Sequence, residues 1–121
     1  MILAGLAVAG GLGAVLRYAV DHVVQRRAVT AFPLGTLVVN LSGSLALGAL
    51  VGSGLHHGIS TTWLTVAGTG LIGSYTTFST FTFDTVRLVG AQQTVSVLNA
   101  VVSLTAGIGA AAAGLAVGSL T

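Results

Sequence analysis

Cysteine is absent from this chain, so disulfide and thiolate chemistry are excluded. Charge is almost absent. Arg17, Asp21, Arg26, Arg27, Asp84 and Arg87 are its six formal charges, 5% of the residues, where a soluble domain carries roughly a quarter. From Ala28 to Phe83 there is none, and from Leu88 to Thr121 there is none again, so these stretches lack the solvated face that water requires. A net charge of +2 with no basic stripe is no footprint for nucleic acid. Two aspartates and three histidines supply no paired carboxylates, no nucleophile–base set and no phosphate-cradling loop, which argues against an enzyme. His56 and His57 have no Cys, Asp or Glu beside them in sequence and read as loop residues, not metal ligands.

What remains is apolar. Hydrophobic residues make up 54% of the chain, and about 20 of them in succession cross a bilayer. Four such stretches fit between the polar punctuations, at 2–24, 33–55, 61–86 and 94–119. The first has no basic leader region and three more follow, so it reads as a span and not as a signal peptide. Pro33 suits a helix start, where its missing N–H costs nothing. Short loops then make residues 1–121 a single all-α integral membrane domain of four antiparallel helices.

Eighteen glycines would weaken helices in water, but in lipid small residues let backbones approach closely. Ser44, Gly48 and Gly52, and again Ala110, Gly114 and Gly118, recur every four residues and predict helix contact seams. The third stretch concentrates Gly68, Gly70, Gly73 and several hydroxyls at its middle, which predicts a broken helix, its freed backbone buried in protein or lining a cavity, in preference to a glycine-flexed but continuous one.

Polar groups at membrane depth carry the remaining signal. Thr36, Asn40 and Ser44 stack at i, i+4 and i+8 on one face of the second span and must meet something polar. By itself Asn40 is either interhelical glue or a pore-lining donor. Phe78 and Phe81 lie three apart with Thr77, Ser79 and Thr80 interleaved; the spacing alone suits core packing, while the positive ring edges suit a small anion. Arg17 is either an intramembrane functional group or a snorkelling flank, and Asp21 stands four residues on, positioned to pair with it.

Three segments together resemble the CrcB/Fluc fluoride channel family: Gly10-Gly11-Leu12-Gly13-Ala14-Val15-Leu16-Arg17-Tyr18, Gly35-Thr36-Leu37-Val38-Val39-Asn40-Leu41-Ser42-Gly43, and Gly70-Leu71-Ile72-Gly73-Ser74-Tyr75-Thr76-Thr77-Phe78-Ser79-Thr80-Phe81. They follow the family's order, and the length matches one subunit. The resemblance implies an antiparallel, dual-topology dimer in a microbial plasma or inner membrane, with two fluoride pathways and a structural sodium ion at the crossing breaks. It implies Phe78 and Phe81 as an aromatic box, Asn40, Ser79, Thr80 and Thr36 as polar pathway groups, Gly73 and Thr76 as sodium-binding carbonyls, and Arg17 at the vestibule. The chain departs from the family pattern at Gly73-Ser74-Tyr75. It departs again in the fourth span, where Asn99, Ser103 and Gly107 stand where the family places a tyrosine and serines, and of these Ser103 is assigned to the pathway.

Two other classes share the four-helix pattern. A small multidrug-type transporter would need an acidic residue within a span, and Asp21 and Asp84 lie near span ends. A non-conducting assembly subunit would need no hydroxyl-rich break. Arg26, Arg27 and Arg87 on the first and third loops favour placing those loops inside. A dual-topology homodimer would show little such bias, so the partner is either a second copy or an inverted paralogue, with membrane lipid around both.

Overall fold

A computed structural model describes residues 1–121 and is helical throughout, with no strand. Helix α1 runs Ile2–Arg27 and α2 runs Leu34–His57. A segmented stretch follows: α3 (Thr61–Leu64), a π-helical run (Thr65–Ile72), α4 (Gly73–Tyr75), and α5 (Ser79–Ala91), with Thr76, Thr77 and Phe78 outside any helix. Helix α6 spans Gln93–Leu120. Three helices, α1, α2 and α6, are long and apolar enough to cross a membrane as continuous rods.

The helix ends follow local chemistry. Pro33 caps α2 from just outside, its carbonyl accepting the Leu37 N–H at 3.2 Å. Gly58 ends α2 with φ of 72°, a left-handed turn that favours glycine. Ser60 then restarts the chain, its hydroxyl accepting the Trp63 N–H at 3.4 Å. Three boundary expectations are corrected. Arg26 and Arg27, expected on the first loop, are the last residues of α1. His56 and His57 form the last turn of α2 instead of the loop, and the expected third loop from Arg87 is helical as far as Ala91, leaving Gln92 alone before α6.

The two small-residue series pack on each other. A Cβ added at Gly48 would strike the Ala111 carbonyl, and one at Gly52 would strike that of Leu115. Conversely, Gly114 lies against the Leu45 carbonyl and Gly118 against that of Ala49. Helices α2 and α6 therefore meet backbone to backbone over residues 45–53 and 111–119, with the Ser53 hydroxyl adding a bond to the Gly118 carbonyl at 3.3 Å. In the same manner α1 receives the π-helical run: Gly13 abuts the Leu71 carbonyl, and Gly70 would meet the Ala9 methyl at 3.0 Å.

Interior space is thus occupied mainly by backbone and small side chains, with Val39, Phe81 and Leu88 the large apolar exceptions, and most other large apolar side chains point outward. Leu3, Val8, Leu12, Val15, Trp63, Phe83, Leu104 and Ile108 are all exposed. Such a continuous apolar exterior is that of a multi-pass membrane protein.

Gly114→Ala and Gly118→Ala should each destabilise the fold by about 1–3 kcal/mol, because the added methyl meets fixed backbone. Gly109→Ala, with nothing within 4 Å of its Cβ position, should cost far less. Thermal unfolding in detergent would read the contrast; equal losses at Gly109 and Gly114 would remove the seam from this account.

Candidate functional site

The polar stripe of α2 meets the non-helical residues. Asn40 donates from Nδ2 to the Thr77 carbonyl at 2.8 Å and accepts the Thr77 N–H on Oδ1 at 2.9 Å. Its amide stands in for a strand neighbour, closing both backbone groups of Thr77 where the helix has stopped. Thr36, one turn earlier, donates to Asp84 Oδ2 at 3.3 Å, and Ser42 pairs with the Tyr75 hydroxyl at 2.8 Å.

The break has a definite hydrogen-bond logic. In a continued α-helix the Thr77 N–H would bond the Gly73 carbonyl and the Thr80 N–H would bond that of Thr76. Instead Asn40 takes the first, and the Thr77 hydroxyl takes the second at 3.2 Å. No protein donor reaches the carbonyls of Gly73 or Thr76. Thr77 also donates to Thr80 Oγ1 at 3.2 Å and lies 3.3 Å from Ser79 Oγ, so it organises the start of α5.

Two cavities flank this break. One, of about 430 Å³, is lined by Asn40, Ser44, Thr76, Phe78, Phe81 and Ser103, among others. The other, of about 280 Å³, is lined by Arg17, Asp21, Thr36, Ser79 and Thr80 with their neighbours. Thr77 borders both. The expected site residues are therefore brought together as two groups, one on each side of Thr77, and not as a single row. Gly73 lines neither of these cavities and is exposed.

Within the larger cavity the Phe78 and Phe81 ring centroids lie 5.9 Å apart at 45°. Their environments differ sharply, since Phe81 is 9% exposed and Phe78 is 74% exposed. In the smaller cavity Arg17 and Asp21 are neighbours, but the anticipated ion pair between them is not formed; the one ion pair is Asp84 with Arg87, at 3.6 Å. The Asp21 carboxylate instead lies against Gly35 of α2, where an added Cβ would strike it.

Three residues that sequence reasoning passed over help build the site. Thr77 has no role in the sequence motif; its signal is a hydroxyl three residues ahead of Thr80, the spacing of a helix cap. Asp84 reads in sequence only as a charge near a span end and Thr85 carries no signal of its own, yet Asp84 receives Thr36, and Thr85 receives Asn99 at 2.8 Å. No local pattern announces those partners, which lie 48 and 14 residues away.

Fold and site together define a class: an all-helical membrane protein whose few polar side chains converge on an interrupted helical segment between two small cavities. The family model described as "CrcB-like protein, Camphor Resistance (CrcB)" matches residues 4–115, and the chain belongs to that family. It is 42% identical over 121 residues to the "Fluoride-specific ion channel FluC 1" of Leifsonia xyli, covering 99% of this chain and 88% of that one. It is 50% identical over 109 residues to the "Fluoride-specific ion channel FluC 2" of Mycolicibacterium paratuberculosis, covering 89% and 85%. With the FluC 2 of Cutibacterium acnes it shares 41% identity, covering 98% of each chain.

Asn40→Leu keeps the approximate volume but strands the N–H and C=O of Thr77 away from water, so a loss of about 2–5 kcal/mol is expected from two unpaired groups. Unfolding in detergent would measure it. A fully stable Asn40→Leu protein would mean that the amide does not hold the break.

Proposed function

We propose that the chain is one subunit of a fluoride-selective passive ion channel, a transport protein and not an enzyme, which lets cytoplasmic fluoride leave down its gradient. The observation that carries this reading is the Asn40–Thr77 clasp with its adjoining cavity, where weak donors converge without a fixed cation. The names of its relatives, fluoride-specific ion channels, agree with it.

Fluoride is small and strongly hydrated, so a pathway must replace its water with several donors yet release it again. On the larger cavity Asn40 commits one N–H to Thr77, and no protein acceptor engages the second. The edges of Phe78 and Phe81 add the positive rim of the aromatic quadrupole. On the other side of Thr77, Thr80 accepts from Thr77 and so keeps its own proton for the cavity, with Ser79 beside it. Thr36 gives its proton to Asp84 and contributes polarity instead of a donor. Arg17 takes the vestibule position on the smaller cavity, its guanidinium offsetting the negative charge of Asp21 on the same wall. Ser103 completes the larger cavity from α6.

The finer architecture belongs to the same proposal. The segments from Thr61 to Ala91 form a fourth, interrupted span, so that residues 1–121 make one four-helix domain. Two subunits associate antiparallel within the lipid, a second copy or an inverted paralogue, bringing their breaks together. A structural sodium ion fits there because the Gly73 and Thr76 carbonyls have lost their helix donors, and carbonyl oxygens suit a hard cation. Bound there, it would offset the carbonyl dipoles.

Purified chain reconstituted alone in liposomes should release fluoride, followed with an ion-selective electrode, with no proton gradient and little chloride movement. Chloride flux of similar size, or strict dependence on a proton gradient, would overturn the reading.

Phe78→Ile and Phe81→Ile should each fold, since such volume-conserving swaps usually cost under about 1.5 kcal/mol. Both should nonetheless lose most fluoride flux. Parent-like conduction by both variants would reduce the rings to packing.

A further inference from the structure

Helix α6 reaches the larger cavity through Ser103, and the hydroxyl there is not free. Thr85 Oγ1 lies 2.8 Å from the Phe81 carbonyl oxygen, and a carbonyl carries no proton. The single proton between those oxygens is therefore that of Thr85, which leaves Thr85 Oγ1 only lone pairs for its other partner. That partner is Asn99, whose Nδ2 donates to it at 2.8 Å, so the amide orientation is set. Asn99 Oδ1 must then face Ser103 Oγ, 3.2 Å away, and again only one proton is available, that of Ser103. Ser96 braces the arrangement from the same helix by donating to the Thr85 carbonyl at 2.7 Å.

The consequence is a matter of polarity at the cavity wall. With its proton turned toward Asn99, Ser103 presents lone pairs to the cavity it lines with Asn40, Phe78 and Phe81. An anion placed directly against it meets electron density. A water molecule does not: it donates one proton to Ser103 and its other to the anion. Drawing the Ser103 proton toward the cavity would strand Asn99 Oδ1, in a residue only 1% exposed.

Building on the channel reading above, we propose that Asn99 and Thr85 are positioning residues that hold the Ser103 proton away from the cavity, so that Ser103 meets fluoride through a bridging water and not by direct donation. Thr85 sets the sense of the whole chain. Replacing it with Val removes the acceptor that fixes the Asn99 amide: either orientation then leaves one amide atom unpaired, so the turned-over form, with its NH2 on Ser103 and the Ser103 proton in the cavity, becomes accessible.

The test combines flux with a spectroscopic readout. Ser103→Ala should lower liposome fluoride efflux about threefold in the parent and about thirtyfold in Thr85→Val, where it would remove a direct donor. Thr85→Ser, which keeps the hydroxyl, should restore the threefold loss seen in the parent. Equal losses in all three backgrounds would overturn the proposal. The chain has two asparagines, Asn40 and Asn99, so asparagine-labelled protein yields two resolvable side-chain amides by NMR. In the parent, Ser103→Ala should shift the Asn99 Cγ signal and leave Nδ2 nearly unmoved; in Thr85→Val the Nδ2 signal should respond instead. A parent Nδ2 that responds to Ser103→Ala means the opposite proton sense and overturns the proposal, whether or not fluoride flows. A parent without fluoride flux fails the channel reading separately.

Discussion

Everything in this protein depends on one constraint: a backbone N–H or C=O taken away from water needs a partner. Continuous helices meet it without help, and α1, α2 and α6 do so. The stretch from Thr76 to Phe78 does not, and its place in the fold follows from how the deficit is met. One asparagine amide supplies a donor and an acceptor to Thr77, and one threonine hydroxyl caps the helix beyond. Diverting those two N–H groups leaves the Gly73 and Thr76 carbonyls without helix partners. The break and its exposed oxygens are two aspects of one rearrangement.

Holding that rearrangement in place requires a rigid frame from a chain with few large buried side chains. Val39 and Asn99 are the largest that are fully buried. Rigidity comes from glycine. Where Gly48, Gly52, Gly114 and Gly118 lie against carbonyls of the facing helix, contact between backbones replaces interdigitating side chains. With α6 pressed so closely onto α2, Ser103 and Asn40 reach the same cavity wall, and the hydroxyl network of α5 and α6 is held in register beside them.

Polarity is spent sparingly and with direction. Thr36 gives its proton to Asp84 and Ser103 gives its proton to Asn99, whereas Thr80 accepts from Thr77 and retains its own. Groups that look alike in composition therefore face the cavities with opposite sense. A count of hydroxyls lining the cavities would miss this, because a hydroxyl donates once and where it donates is decided by its neighbour.

Much of this was legible in the residues. Charge-free tracts require lipid-facing helices whatever their arrangement, since no other surface is compatible with them. The four-residue spacing of small groups marked both seams, because helical periodicity alone puts them on one face. The period of Thr36 and Asn40 showed that α2 must meet a polar neighbour, and glycines crowded before Thr76 marked where a helix would be weak. Tertiary structure alone decided the partners. It gave Asn40 to Thr77, Thr36 to Asp84 and Asn99 to Thr85, left Arg17 and Asp21 unpaired, and divided the polar residues between two cavities. The reason is physical: periodicity is a property of one helix, but a hydrogen bond across 37 or 48 residues depends on how helices are turned against one another, and that is set by packing no single segment contains.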